Sequence, residues 1–192
     1  MFISLVLMSG MAAIAEPMVI TLIGEKWRAS IIYLQLLCFP AMFYPLHALN
    51  LNMLNVLGRS DLFLKLEIIK KILAVPVIII GIIWGIKIMI LGMWIDALIS
   101  YYLNSYYSGK FIKYPLKEQV ADILPSVILG VFMGGMVYVT GWLLPASYTI
   151  KLMAQIAVGT IVVFGVSEIL HLEAYSDIKN ILKTKLIAVD RK

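Results

Sequence analysis

Six long apolar runs, at 2–24, 30–57, 61–85, 86–108, 123–144 and 148–172, take up nearly all of this chain. Each is close to the roughly 20 residues that a helix needs to cross a bilayer. A run of that kind can satisfy its own backbone hydrogen bonds only by coiling into a helix, because hydrocarbon offers no partners. A barrel strand would instead show about ten alternating residues, and nothing here alternates. The expected fold is all-α: an integral membrane bundle of six transmembrane helices over residues 1–172, followed by a tail at 173–192. The apolar share of 62% and the charged share of 14% agree with this, since soluble domains average about 45–50% and about 25%.

Two other readings fall away. Ala13-Ile14-Ala15 imitates a signal-peptide cleavage site, but no Lys or Arg precedes it and a signal peptide opens on a basic segment. The formal charge of +5 is scattered at run ends, with no basic stripe interleaved with aromatics, so nucleic acid is not an expected partner. Membrane lipids are.

Orientation follows from where Lys and Arg sit, because cytoplasmic loops are enriched in them. One side carries Arg59, Lys65, Lys70, Lys71, Lys110, Lys113, Lys117, Lys179, Lys183, Lys185, Arg191 and Lys192. The other carries Lys26, Arg28, Lys87 and Lys151. Twelve against four places both chain ends, and the basic tail, in the cytoplasm. The third run opens on Asp61, Lys65, Glu67, Lys70 and Lys71. Its apolar part, 72–83, is short, so a long helix is expected whose charged start reaches into the headgroups with snorkelling lysines. Pro76 should kink this helix, and Pro40 and Pro45 should bend the second.

Polar groups inside membrane spans mark partners or wet cavities. Asp96, Ser100, Asn104 and Tyr107 follow at steps of 4, 4 and 3 and share one helix face. That face reads either as a cavity wall meeting a hydroxyl-rich substrate or coupling cation, or as interhelical hydrogen bonding. Tyr101, Tyr102 and Tyr106 read as an interfacial belt. His47, Asn50, Asn52 and Asn55 glue helices or touch substrate. Glu16 is an ion-coupling carboxylate or a hydrogen-bond acceptor for a neighbouring helix. Gly134-Gly135, Gly159 and Gly165 are expected to let helices approach closely. No nucleophile triad, nucleotide-binding glycine pattern or metal-ligand cluster occurs, so neither an enzyme nor a cofactor is expected. The lone Cys38 excludes an internal disulfide and reads as a small buried hydrophobe.

Several stretches resemble the polysaccharide transporters of the Wzx type. These are the O-antigen and exopolysaccharide flippases of the multidrug/oligosaccharidyl-lipid/polysaccharide superfamily. The stretches are Ala15-Glu16-Pro17, Gly24-Glu25-Lys26-Trp27, Tyr33-Leu34-Gln35-Leu36-Leu37-Cys38, Tyr44-Pro45-Leu46-His47-Ala48-Leu49-Asn50-Leu51-Asn52, Gly58-Arg59-Ser60-Asp61-Leu62-Phe63-Leu64-Lys65 and Leu124-Pro125-Ser126. The resemblance covers residues 10–145, with the rest alike in layout. It implies the C-terminal portion of a two-lobe bundle of 12–14 helices, with Met1 internal to a longer protein or opening a truncated frame. It also implies movement of a polyprenyl-diphosphate-linked oligosaccharide across the bacterial inner membrane, with a missing N-terminal lobe as partner and little activity of this portion alone. A diphosphate calls for buried cations, yet the runs place every Lys and Arg near an end. A multidrug exporter on the same scaffold, a membrane-embedded enzyme of envelope synthesis and a non-functional remnant are the competing expectations.

Overall fold

A computed structural model describes residues 1–170, 175–177 and 179. Among them every regular element is helical: α1 (Phe2–Ala13), α2 (Ala15–Leu22), α3 (Ile31–Met42), α4 (Tyr44–Val56), α5 (Ser60–Trp84), α6 (Ile86–Ile112), α7 (Leu116–Leu143) and α8 (Tyr148–Ile169), with a 3₁₀ turn at Glu25–Ser30 before α3. The tail expected at 173–192 lies almost wholly outside the described residues. Its start packs back on α8, where Lys179 Nζ meets Glu168 Oε1 at 2.6 Å.

Among the described residues four helices are long and apolar enough to cross a membrane: Glu25–Val56, Ile86–Ile112, Leu116–Leu143 and Tyr148–Ile169. A fifth counts if α1 and α2 are taken together. This falls short of the expected six for two physical reasons. The first run is not one rod: α1 and α2 bend by 70° at Ile14. Pro17 has no N–H to give the Ala13 carbonyl, and the helix breaks just before it. Gln35 of α3 braces the break by donating its Nε2–H to the Ala12 carbonyl at 3.1 Å. The other shortfall is α5, whose charged first half leaves only 72–84 uncharged.

Proline has milder effects elsewhere. The second run breaks at Phe43, between Pro40 and Pro45. Pro40 leaves the Leu36 carbonyl without its helical donor, and the Trp94 indole N–H from α6 takes that place at 2.7 Å. Through Pro76, α5 continues as helix. Two boundaries also move: α6 extends to Ile112, and α7 begins at Leu116 instead of 123. Pro115 and Glu118 supply a helix start there, since acidic residues favour the first turn.

The burial pattern is compatible with a hydrocarbon surrounding. Large side chains on α5 point outward, among them Ile72, Ile78, Ile82 and Ile83, while Asn104, Ser105, Ser108, Gln119, Gln155 and Ser167 are almost fully buried. Without water outside, polar groups gain by meeting one another between helices. Small residues set the spacing. A β-carbon at Gly134 would lie 3.4 Å from the Ser9 carbonyl oxygen, and one at Gly159 would lie 3.1 Å from Val137. Gly135 and Gly165, expected to act likewise, have nothing within 4 Å. Gly130, Gly81 and Gly92, which the sequence did not single out, sit at close contacts.

Candidate functional site

The polar face of α6 is real, and it runs through Ser108 instead of Tyr107. Ser100, Asn104 and Ser108 are all buried, each four residues on from the last. Tyr107 stacks on Phe111 instead. At the end of the bundle near Lys113 this face is tied to α4 and α7. Ser108 Oγ donates to Asn50 Oδ1 at 2.5 Å, Asn50 Nδ2 to Gln119 Oε1 at 3.2 Å, and Ser105 Oγ to the same oxygen at 3.1 Å. Gln119 Nε2 donates to the Tyr114 carbonyl at 2.9 Å. Asn104 Nδ2 lies 3.3 Å from His47 Nδ1. This network joins helices and leaves little for a ligand, so interhelical bonding accounts for Asn50, Ser105, Ser108 and Gln119.

Beside this network, Tyr114 donates its phenol to Asp122 Oδ2 at 2.5 Å. Burial, and then that hydrogen bond, push the phenol up to about 12. An unfolded tyrosine titrates near 10, so the folded state favours the protonated phenol. The stabilisation is fully present below about pH 10 and is lost as pH rises from there to about 12. The wild-type melting temperature should therefore fall faster than that of Tyr114→Phe across this window. Parallel curves would remove the link.

Asp96 sits two turns further along α6, half-buried, and its Oδ1 has no hydrogen-bond partner among the described residues. Lys70 of α5 is near enough to act electrostatically on both Asp96 and His47. Lys70 was expected among the headgroups. Its side chain is only 15% exposed and pairs with Glu67. Asp96 does not line the cavity described next. Asn52 is exposed, and Glu16 belongs to the opposite end of the bundle.

At that end the α1–α2 break opens a cleft of about 480 Å³ between α1, α2, α3, α7 and α8, within the size range of ligand pockets. Arg28 organises it. Its guanidinium reaches Glu16 Oε1 at 2.8 Å, Glu25 Oε1 at 2.5 Å and the Tyr148 hydroxyl at 2.7 Å. Lys151 lies 5.9 Å from the Tyr148 ring centre. Tyr138, Trp142, Gln35 and Gln155 also line the cleft. Glu16 and Glu25 balance Arg28 and Lys151, two negative charges against two positive.

Gln155 is the most informative residue here. It is 3% exposed. Its Nε2 donates to the Val137 carbonyl at 2.9 Å, which fixes the amide orientation, because a carbonyl can only accept. Its Oε1 is left buried with no partner. Gly141 makes room for this arrangement, since a β-carbon there would collide with Gln155 Nε2. Aromatic faces, amides, a tethered guanidinium and a free ammonium are the groups that bind a polyhydroxylated, partly anionic molecule.

Of the residues anticipated as cavity-forming, only Glu16 lines this cleft. Arg28, Lys151, Tyr148, Gln35 and Gln155 were missed. Gln35 and Gln155 could have been found by the criterion that singled out Asp96, a polar side chain within an apolar run. Arg28 and Lys151 carried no signal beyond lying at run ends. No protein-family model, curated protein or solved structure matches the chain.

Proposed function

We propose that this chain is one lobe of a membrane transporter that moves lipid-linked oligosaccharide from the inner to the outer leaflet of the bacterial plasma membrane. In this reading the chain crosses six times with both ends in the cytoplasm, the α1–α2 pair and the long α5 supplying the two less regular crossings. A second lobe faces it, since transporters of two related halves work by rocking one against the other. The observation that carries the proposal is the cleft at the α1–α2 break. A bundle serving only as an anchor has no use for Arg28, Lys151, two amides and three aromatic rings around one cavity.

The Glu16–Arg28 pair separates this reading from export of hydrophobic cations on the same scaffold. A cation site would keep Glu16 unneutralised, whereas Arg28 is bonded to it at 2.8 Å.

The test is cellular. Lys151→Ala in the protein in its host should raise lipid-linked sugar on the cytoplasmic leaflet at normal membrane abundance of the protein. A charge-assisted hydrogen bond of about 1.5–3 kcal/mol corresponds to a fall in flipping of roughly tenfold or more. Unchanged lipid-linked sugar together with new sensitivity to hydrophobic cations would replace the flippase with a multidrug exporter.

A further inference from the structure

Helices α5 and α6 pack as an antiparallel pair in which Gly81 lies against Met89 and Gly92 against Val77. These two contacts fix the register. One turn beyond the second, Asp96 of α6 comes level with Leu73 and Ala74 of α5, and Lys70 stands one turn further on. Glu67, Lys70, Ala74, Val77 and Gly81 recur at steps of 3, 4, 3 and 4, so they share the side of α5 that meets α6. Gly92, Asp96, Ser100 and Asn104, at steps of 4, share the facing side of α6.

This seam holds two carboxylates and one ammonium. Lys70 is 15% exposed and bonded to Glu67, and it is also the charged group that acts on Asp96. Asp96 Oδ1 is sealed from solvent and has no hydrogen-bond partner. The other elements against α6 bring no second lysine or arginine to this level. The α3 helix has no charged residue, and α7 has none beyond Asp122. From α4 comes His47, which lies against Asn104 at 3.3 Å and is itself in the field of Lys70. An ionised carboxylate inside a membrane is costly unless it is paired or hydrated. A sealed oxygen leaves no room beside it for a metal ion or a sugar hydroxyl. What can answer it is a proton or the Lys70 ammonium.

We propose that Asp96 is a proton-binding site whose occupancy is set by Lys70, which serves one of two carboxylates at a time. With Lys70 on Glu67, as here, Asp96 carries a proton. When the ammonium turns to Asp96, the O–H bond breaks, its electron pair stays on the carboxylate and the proton passes to water. Glu67 then remains ionised, because its side chain is 33% exposed and water takes the place of the ammonium. Rising pH favours this second arrangement. The inference goes beyond the transporter reading and does not depend on what is carried; it needs only that α5 and α6 lie in the membrane. It supplies a charge change tied to a two-state element, which is what a proton-driven cycle requires.

Infrared difference spectroscopy on the whole chain in phospholipid nanodiscs detects the proton directly, through the carbonyl stretch of a protonated carboxyl. Each protein is compared with the same protein carrying Asp96→Asn. Wild type should show one such band at neutral pH, and the band should disappear as the pH is raised. Glu67→Gln, a change of equal volume at a partly exposed position, frees the ammonium for Asp96 and should remove the band at neutral pH. Adding Lys70→Met to Glu67→Gln takes the ammonium away and should bring the band back. Absence of an Asp96-dependent band in wild type would overturn the proposal, as would a band that Glu67→Gln leaves in place or that Lys70→Met fails to restore. The spectra do not involve the cleft, so failure of the transporter reading in the Lys151→Ala assay would leave them unchanged.

Discussion

Gln119→Leu is expected to lower the melting temperature of the detergent-solubilised protein by roughly 5–15 °C. Gln119 is 2% exposed. Its Oε1 accepts from Asn50 and Ser105, and its Nε2 donates to the Tyr114 carbonyl. Leucine fills a similar volume and answers none of the three. Asn50 keeps its bond from Ser108 through Oδ1, but its Nδ2, the Ser105 hydroxyl and the Tyr114 carbonyl lose their partners. A stranded buried polar group costs about 1–3 kcal/mol. Single interhelical bonds in membranes average nearer 0.6 kcal/mol, so a total on the order of 2–4 kcal/mol allows for partial re-pairing. Val120→Leu, next door but exposed, is the control and should move little. A Gln119→Leu protein melting within a degree of wild type would show that the network does not hold α4, α6 and α7 together.

The second large effect belongs to Gly81→Leu, which should force α5 off α6. A β-carbon at Gly81 would sit 2.5 Å from Met89 Cβ, and one at Gly92 would sit 2.8 Å from Val77 Cγ1. The two glycines thus form a reciprocal contact in which each helix presses a side chain onto bare backbone of the other. Met89 Cβ is fixed to its own backbone and cannot swing aside, so the helix axes must part. Overpacking of this kind costs about 1–3 kcal/mol, occasionally more. The gain of about 0.8–1.0 kcal/mol in helix propensity over glycine offsets only part of it. Gly135→Leu is the informative contrast, since a β-carbon there meets nothing within 4 Å and the propensity gain should stand alone. Comparable melting temperatures for the two variants would contradict the close-packed α5–α6 pair.

Much of the fold was legible because a hydrocarbon solvent imposes one rule on every residue of a span. That rule located α3–α4, α6 and α8 to within a few residues. It said nothing of the 70° turn at Ile14, because a proline in an apolar run is compatible with a kink, a break or a straight helix, and braces from other helices decide among them. Here Gln35, twenty-three residues from its acceptor Ala12, is such a brace. The start of α7 was hidden differently. Lys117, Glu118 and Asp122 look like a solvated linker, yet buried Gln119 docks that turn onto α6. The candidate site was the least legible. Asp96 stood out because a carboxylate in an apolar run is costly, but cost marks any burial, functional or not. The cleft is assembled from Glu16, Arg28 and Tyr148, where Arg28 and Tyr148 lie 120 residues apart. No local spacing announces such a meeting.

The bend at Ile14 also sets a depth. At about 1.5 Å per residue, the twelve residues of α1 rise about 18 Å. The eight of α2, lying 70° off that axis, add only about 4 Å more. With α1 along a membrane normal, α2 would run nearly in the plane of the bilayer, its eight residues gaining the height of about three. Hydrocarbon would have to thin beside the Glu16–Arg28 pair, at a cost of fractions of a kcal/mol per ångström, or water would follow these charges inward.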